Sequence, residues 1–114
     1  MPNPAYNSRF LLLTVLLIAT TPASLAADLE RTLVIKNHRF EPAEVRVPAN
    51  QRVRLTISNQ DNSAEEFESH ALNREKIIPA GAKVVIFIGP LQAGRYAFFG
   101  EYNEASAKGT VIAE

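Results

Sequence analysis

The chain has 114 residues, with 12 Lys+Arg against 12 Asp+Glu, so no basic face is implied and nucleic acid is not an expected partner. It has no cysteine, which excludes disulfides, thiolate metal sites, iron–sulfur clusters and cysteine catalysis. With only two histidines, a tight all-histidine site is excluded as well.

In chain order, the first element is a leader. Arg9 is the only charge ahead of Asp28, FLLLTVLLIA (Phe10 to Ala19) is a short apolar run, and TTPASLA offers small residues at Ser24 and Ala26. A basic start, an apolar centre and a small-residue exit predict a cleaved secretory signal peptide over residues 1–26 and export to the periplasm. The run is about half of the roughly 20 residues that span a bilayer, so the chain is not expected to cross the membrane itself. Cleavage removes Met1, the single methionine, and with it any thioether ligand. What remains, residues 27–114, is one small domain held by its core alone, with eleven Lys+Arg and twelve Asp+Glu.

Within that domain short β-prone runs alternate with Pro, Gly and Asn. LVI (Leu33 to Ile35) and the pair Val45 and Val47 come first. RVRLTIS then alternates, with Val53, Leu55 and Ile57 on one face and Arg52, Arg54 and Thr56 on the other, the pattern of a half-buried antiparallel strand. EFESH, KII, KVVIFI, RYAFF and GTVIA complete the set, and ALNRE (Ala71 to Glu75) is read as a helical turn. Pro42, Pro48, Pro79 and Pro90 fall where strands begin or end, because proline cannot donate to a central ladder. Seven or eight strands with turn signals between them predict an all-β, two-sheet sandwich or small barrel. Tyr96, Phe98 and Phe99, joined by Phe87, are expected in the core. Arg31, Arg39, Arg46, Arg52 and Arg54 are expected on one solvated side. No catalytic triad motif, Gly-rich phosphate loop or paired zinc motif is present.

HRFEPAEVRVPANQRVRLTISNQD and GPLQAGRYAFFGEYNEASAKGTVIAE resemble the two halves of a cupredoxin, a Greek-key sandwich, in the expected order. On that pattern Glu65 stands at the first copper-binding His, Gly100 at Cys, Asn103 at the second His and Ala107 near Met. The blue-copper set of thiolate, imidazole and weak thioether is therefore lost, and no type 1 copper is expected. AEEFESHALNREKIIPAG resembles more narrowly the cupredoxin-like domains of bacterial iron uptake, including the EfeO type, with Glu66, Phe67 and Glu68 on an E-W-E segment. The cysteines of some of those domains fall at Phe40 and Gly100. The whole pattern is similar to the small cupredoxin subunit of FtrABCD-type ferrous-iron transporters. That resemblance implies a role beside a periplasmic iron-binding protein and an inner-membrane iron permease, in handling or oxidising iron before transport.

Carboxylate and imidazole suit Fe, Mn, Cu(II) or Zn. As a strand, EEFESH projects Phe67 to one side and Glu66, Glu68 and His70 to the other. His38 precedes the F-x-P step, which in cupredoxins lies at the ligand-loop end, and Glu101 lies in the loop itself. His38, Glu66, Glu68 and Glu101 are the expected ligands of a weak iron or copper site, with His70, Glu65, Glu75 and Glu104 ranked after them. The competing reading is a water-solvated strand face and a surface histidine. In that case the chain is a metal-free sandwich docking on a permease or periplasmic partner. No second redox centre is evident, so independent enzyme activity is not expected.

Overall fold

Alternation along the strands decides which side chains meet. The computed structural model describes residues 1–2, 4, 12–20 and 28–114. The predicted cleavage motif around Ser24 to Ala26 lies outside the described residues. Among the described residues no helix is long and apolar enough to cross a membrane.

The described strands are β1 (Leu29–Lys36), β2 (Arg39–Glu41), β3 (Glu44–Val47), β4 (Val53–Asn59), β5 (Glu65–Ser69), β6 (Arg74–Ile78), β7 (Lys83–Ile88), β8 (Gly94–Gly100) and β9 (Lys108–Ala113). A 3-10 turn, Glu101–Asn103, joins β8 to β9. They form a four-stranded sheet, β2-β1-β4-β7, and a five-stranded sheet, β3-β9-β8-β5-β6. The architecture is the expected all-β sandwich, with nine strands rather than seven or eight. The extra strand, β2, returns along β1 after a turn at Asn37 and His38, both at positive φ. ALNRE is not helical: Ala71 to Asn73 lie in the turn and Arg74 and Glu75 already belong to β6.

The core fills the space between the sheets. Val53, Leu55 and Ile57 of β4 are fully buried, as their alternation requires. Phe40 of β2 meets Phe98 edge-on at 5.1 Å across the sandwich, and Phe98 stacks on Phe67 at 5.1 Å. Tyr96 packs against this cluster, whereas Phe87 turns outward, with the Arg52 guanidinium 4.2 Å above its ring. Phe87 and Phe99 thus leave the expected aromatic core, because each stands one strand position away from an inward neighbour.

One end of the sandwich is tied by polar side chains. Asn59, 1% exposed, donates through Nδ2 to the carbonyls of Ser63 and Ile78 and accepts from Asp61 N–H. Asp61 in turn accepts the N–H groups of Asn37 and His38, closing the β1–β2 turn. Glu65, also 1% exposed, accepts from Glu66 N–H at 2.9 Å, Tyr102 N–H at 3.0 Å and Asn103 Nδ2 at 2.8 Å. This carboxylate binds β5 to the turn after β8. Gly100 is extended, so its backbone admits any residue. Space does not: a Cβ there would stand 2.6 Å from the Glu65 carboxyl carbon and 2.7 Å from Ala107 Cβ.

Gly100→Ala is expected to force Glu65 out of place and lower stability by about 1–3 kcal/mol, the usual cost of overpacking. Glu65→Ala strands buried N–H donors and is expected to cost on the order of 3 kcal/mol, read from urea unfolding. Unchanged unfolding midpoints in both variants would show that this carboxylate does not hold the tip.

Candidate metal centre

The period of two along β5 sorts its residues into two sets. Glu65, Phe67 and Ser69 point inward, and Glu66 and Glu68 point outward. Ser69 Oγ donates to Ala97 O and accepts Leu72 N–H, which anchors the turn into β6 and so sets the β5–β6 register. That register puts Glu75 opposite Glu68 and Ile77 opposite Glu66. On the other flank β8 puts Phe99 opposite Glu68, and the chain passes through Gly100 to Glu101.

The result is a group of four carboxylates, Glu66, Glu68, Glu75 and Glu101, each offering one oxygen, all within 4.8 Å of one another. Donors that share one ion at about 2.0–2.5 Å stand no farther apart than about 4–5 Å. Glu66 is 7% exposed, and no Lys, Arg or His pairs with Glu66, Glu75 or Glu101 among the described residues. Glu68 Oε2 is buried without a hydrogen-bond partner, while its Oε1 lies 3.7 Å from His70 Nδ1. Four carboxylates this close repel one another unless protons or cations share their oxygens.

Proton affinities follow from the crowding. A proton shared with Glu66, then repulsion from Glu68 and Glu66, pushes Glu75 up to about 6. Glu101 is raised by the same hydrogen bond and charge from Glu66. Glu66 is lowered, chiefly because it accepts from Glu75. The Tyr102 phenol is raised by desolvation and by the Glu66 charge. The crowding thus favours the charged form of Glu66 and the protonated forms of Glu75 and Glu101.

Of the expected ligands, Glu66, Glu68 and Glu101 are brought together and His38 is not. His38 occupies the β1–β2 turn: its N–H donates to Asp61, its carbonyl accepts from Ser106 Oγ, and its Nδ1 faces Asp61 at 3.7 Å. The turn that Asp61 closes carries the ring away from the acids. Glu75, ranked lower from sequence, supplies the fourth carboxylate; the signal that finds it is the β5–β6 register. Glu65 faces the interior, and Glu104 follows the 3-10 turn outside the group. Three of the five arginines expected on one side are drawn into ion pairs, Arg46 with Glu114 and Glu44, Arg52 with Asp28 and Arg54 with Glu30, while Arg31 donates to the carbonyls of Arg46 and Glu30.

The positions that the resemblance places at blue-copper ligands do meet. Glu65 bonds Asn103, Gly100 N–H donates to Ala107 O at 2.8 Å, and Glu65 fills the space a Gly100 side chain would need. Carboxylate, amide, hydrogen and methyl do not fit a type 1 copper ion, which requires a thiolate.

A family model described as a cupredoxin-like domain matches residues 9–113. An uncharacterized protein of Rickettsia prowazekii (strain Madrid E) is 43% identical over 84 residues, covering 74% of this chain and 67% of that protein. The chain superposes on auracyanin A, a "blue" copper protein from Chloroflexus aurantiacus, with a TM-score of 0.67 and 12% identity over 77% of this chain and all (100%) of that one. It also superposes on the metal-binding domain of the Cu(I)-exporting P-type ATPase CopA from Streptococcus pneumoniae, with a TM-score of 0.63 and 16% identity over 75% of this chain and 84% of that one. At such identities the superpositions show the fold alone, and the family match shows membership. The chain belongs to the cupredoxin-like domain family.

Proposed function

We propose that this protein is a periplasmic cupredoxin-like accessory of ferrous-iron uptake that holds iron or copper transiently on the outward carboxylates. The single observation that carries the reading is the convergence of Glu66, Glu68, Glu75 and Glu101 within 4.8 Å. Glu68 Oε2, buried and without a hydrogen-bond partner among the described residues, is in keeping with it, since a cation would satisfy that oxygen. Four carboxylates form a hard donor set, which favours Fe(III) over Fe(II). Bound Fe(II) would thereby yield its electron more readily to an acceptor on a partner. The resemblance to FtrABCD-type subunits supplies the partners: a periplasmic iron-binding protein and an inner-membrane permease. The chain is assigned no independent oxidation step.

A second reading keeps the fold and drops the metal. Ile77, 52% exposed, and Tyr102, 51% exposed, flank the acids and give that face an apolar rim. Such a rim around like charges suits docking of a basic periplasmic or membrane partner.

Calorimetric titration with Fe(II) under anaerobic conditions, Cu(II) and Zn(II) separates the two readings. The metal reading expects one ion per chain and a loss of at least about 100-fold in a Glu66/Glu68/Glu101 triple alanine variant, which removes most of the donor set. Equal binding of all three metals to both proteins leaves only the docking module.

Protons compete for the same oxygens. Glu75 holds its proton more tightly folded, near 6, than at its ordinary 4.5, so its contribution to stability is full below 4.5 and lost as pH rises to about 6. The metal-free urea midpoint is therefore expected to fall across that window, and Glu75→Gln to flatten the fall. A midpoint that rises across the window in the wild type would contradict the crowding. Metal affinity is expected to run the other way, strengthening as pH rises through 6, because deprotonated acids bind cations.

A further inference from the structure

We propose that His70 is a nitrogen ligand of the carboxylate centre and tilts its preference toward borderline cations such as Cu(II). The inference rests on the metal reading above. His70 directly follows β5, in the turn that leads into β6. Its Nδ1 already stands 3.7 Å from Glu68 Oε1, and its side chain is 83% exposed, free to rotate. The backbone beneath it is fixed: Ser69 Oγ bonds Ala97 O and Leu72 N–H, and Asn73 N–H donates to His70 O at 3.2 Å. The ring leans on Phe99, with centroids 5.8 Å apart.

His70 lines a surface cavity of about 200 Å³ together with Glu68 and Glu75 of the carboxylate group. Arg74 also lines it, yet its guanidinium donates to the carbonyls of Phe87, Asn73 and Leu72 and pairs with neither acid. Glu68, whose Oε2 is buried without a hydrogen-bond partner among the described residues, is thus shared by the carboxylate group and the cavity that His70 lines. An added nitrogen donor strengthens Cu(II) and Zn(II) binding far more than Mn(II) binding, since imidazole suits the former and carboxylate the latter.

The test uses Cu(II) as probe on wild type, His70→Ala and His38→Ala, with pulsed EPR to detect the remote nitrogen of a copper-bound imidazole. Expected are imidazole modulations in wild type and His38→Ala, and their loss in His70→Ala. Cu(II) affinity is expected to fall at least about 10-fold in His70→Ala, the scale on which even outer-shell partners act. Mn(II) affinity is expected to stay within about threefold. Stoichiometric Cu(II) binding without imidazole modulation, or modulation that survives in His70→Ala, overturns this inference and leaves the metal reading standing. A wild-type protein that binds no Cu(II), Fe(II) or Zn(II) overturns both. Because His70 is exposed, an unchanged circular-dichroism melt in His70→Ala confirms that any loss is local.

Discussion

A carboxylate shut inside a β-sandwich without partners would be strongly destabilising, and Glu65 is shut inside. It persists because its two oxygens collect the N–H groups of Glu66 and Tyr102 and the amide of Asn103. Those bonds join β5 to the turn after β8, the two segments that carry the outward acids. In copper-binding relatives the resemblance puts a metal at this junction. Here hydrogen bonds make the connection, and Gly100 is small because the carboxyl group occupies the room beside it. The tip is therefore closed by the chain's own groups.

Once Glu65 faces inward, the pleat turns Glu66 and Glu68 outward. The same strand thus carries acids on both faces, one satisfied and one crowded. The inner acid is surrounded by donors. The outer acids have mainly each other, and the proton near 6 on Glu75 is the thermodynamic trace of that crowding. Elsewhere the surface follows the ordinary pattern of acids alternating with arginines, as at Glu44 with Arg46 and Arg95 or Glu30 with Arg54. On the outer face of β5 and β6 the acids Glu66, Glu68 and Glu75 instead stand together with Glu101 from the turn after β8.

Much of the fold is legible in the chain. Alternation in RVRLTIS marks β4, prolines mark strand ends, and the sandwich follows from the number of short runs. The additional strand β2 escapes because three residues are too few for a period, and it exists through pairing with β1 across a turn that Asp61 closes. The aromatic residues are harder to assign. Phe98 and Phe99 are chemically alike and adjacent, and nothing but the β8 pleat sends one inward and the other out.

For the site, the local pattern already contains the outward pairing of Glu66 with Glu68, since successive side chains on any strand point to opposite faces. The order of motifs along the chain was enough for the sandwich class, and the absence of cysteine was enough to rule out a thiolate-bound copper. Long-range register settled the remainder. Glu75 joins the group through a cross-strand neighbour seven residues away, and Glu101 through the approach of β8 to β5. His38 leaves it because a side-chain carboxylate from a distant loop holds its turn. Spacing along one chain carries no information about distances between strands, which are set by how two sheets pack and by where buried polar groups find their partners.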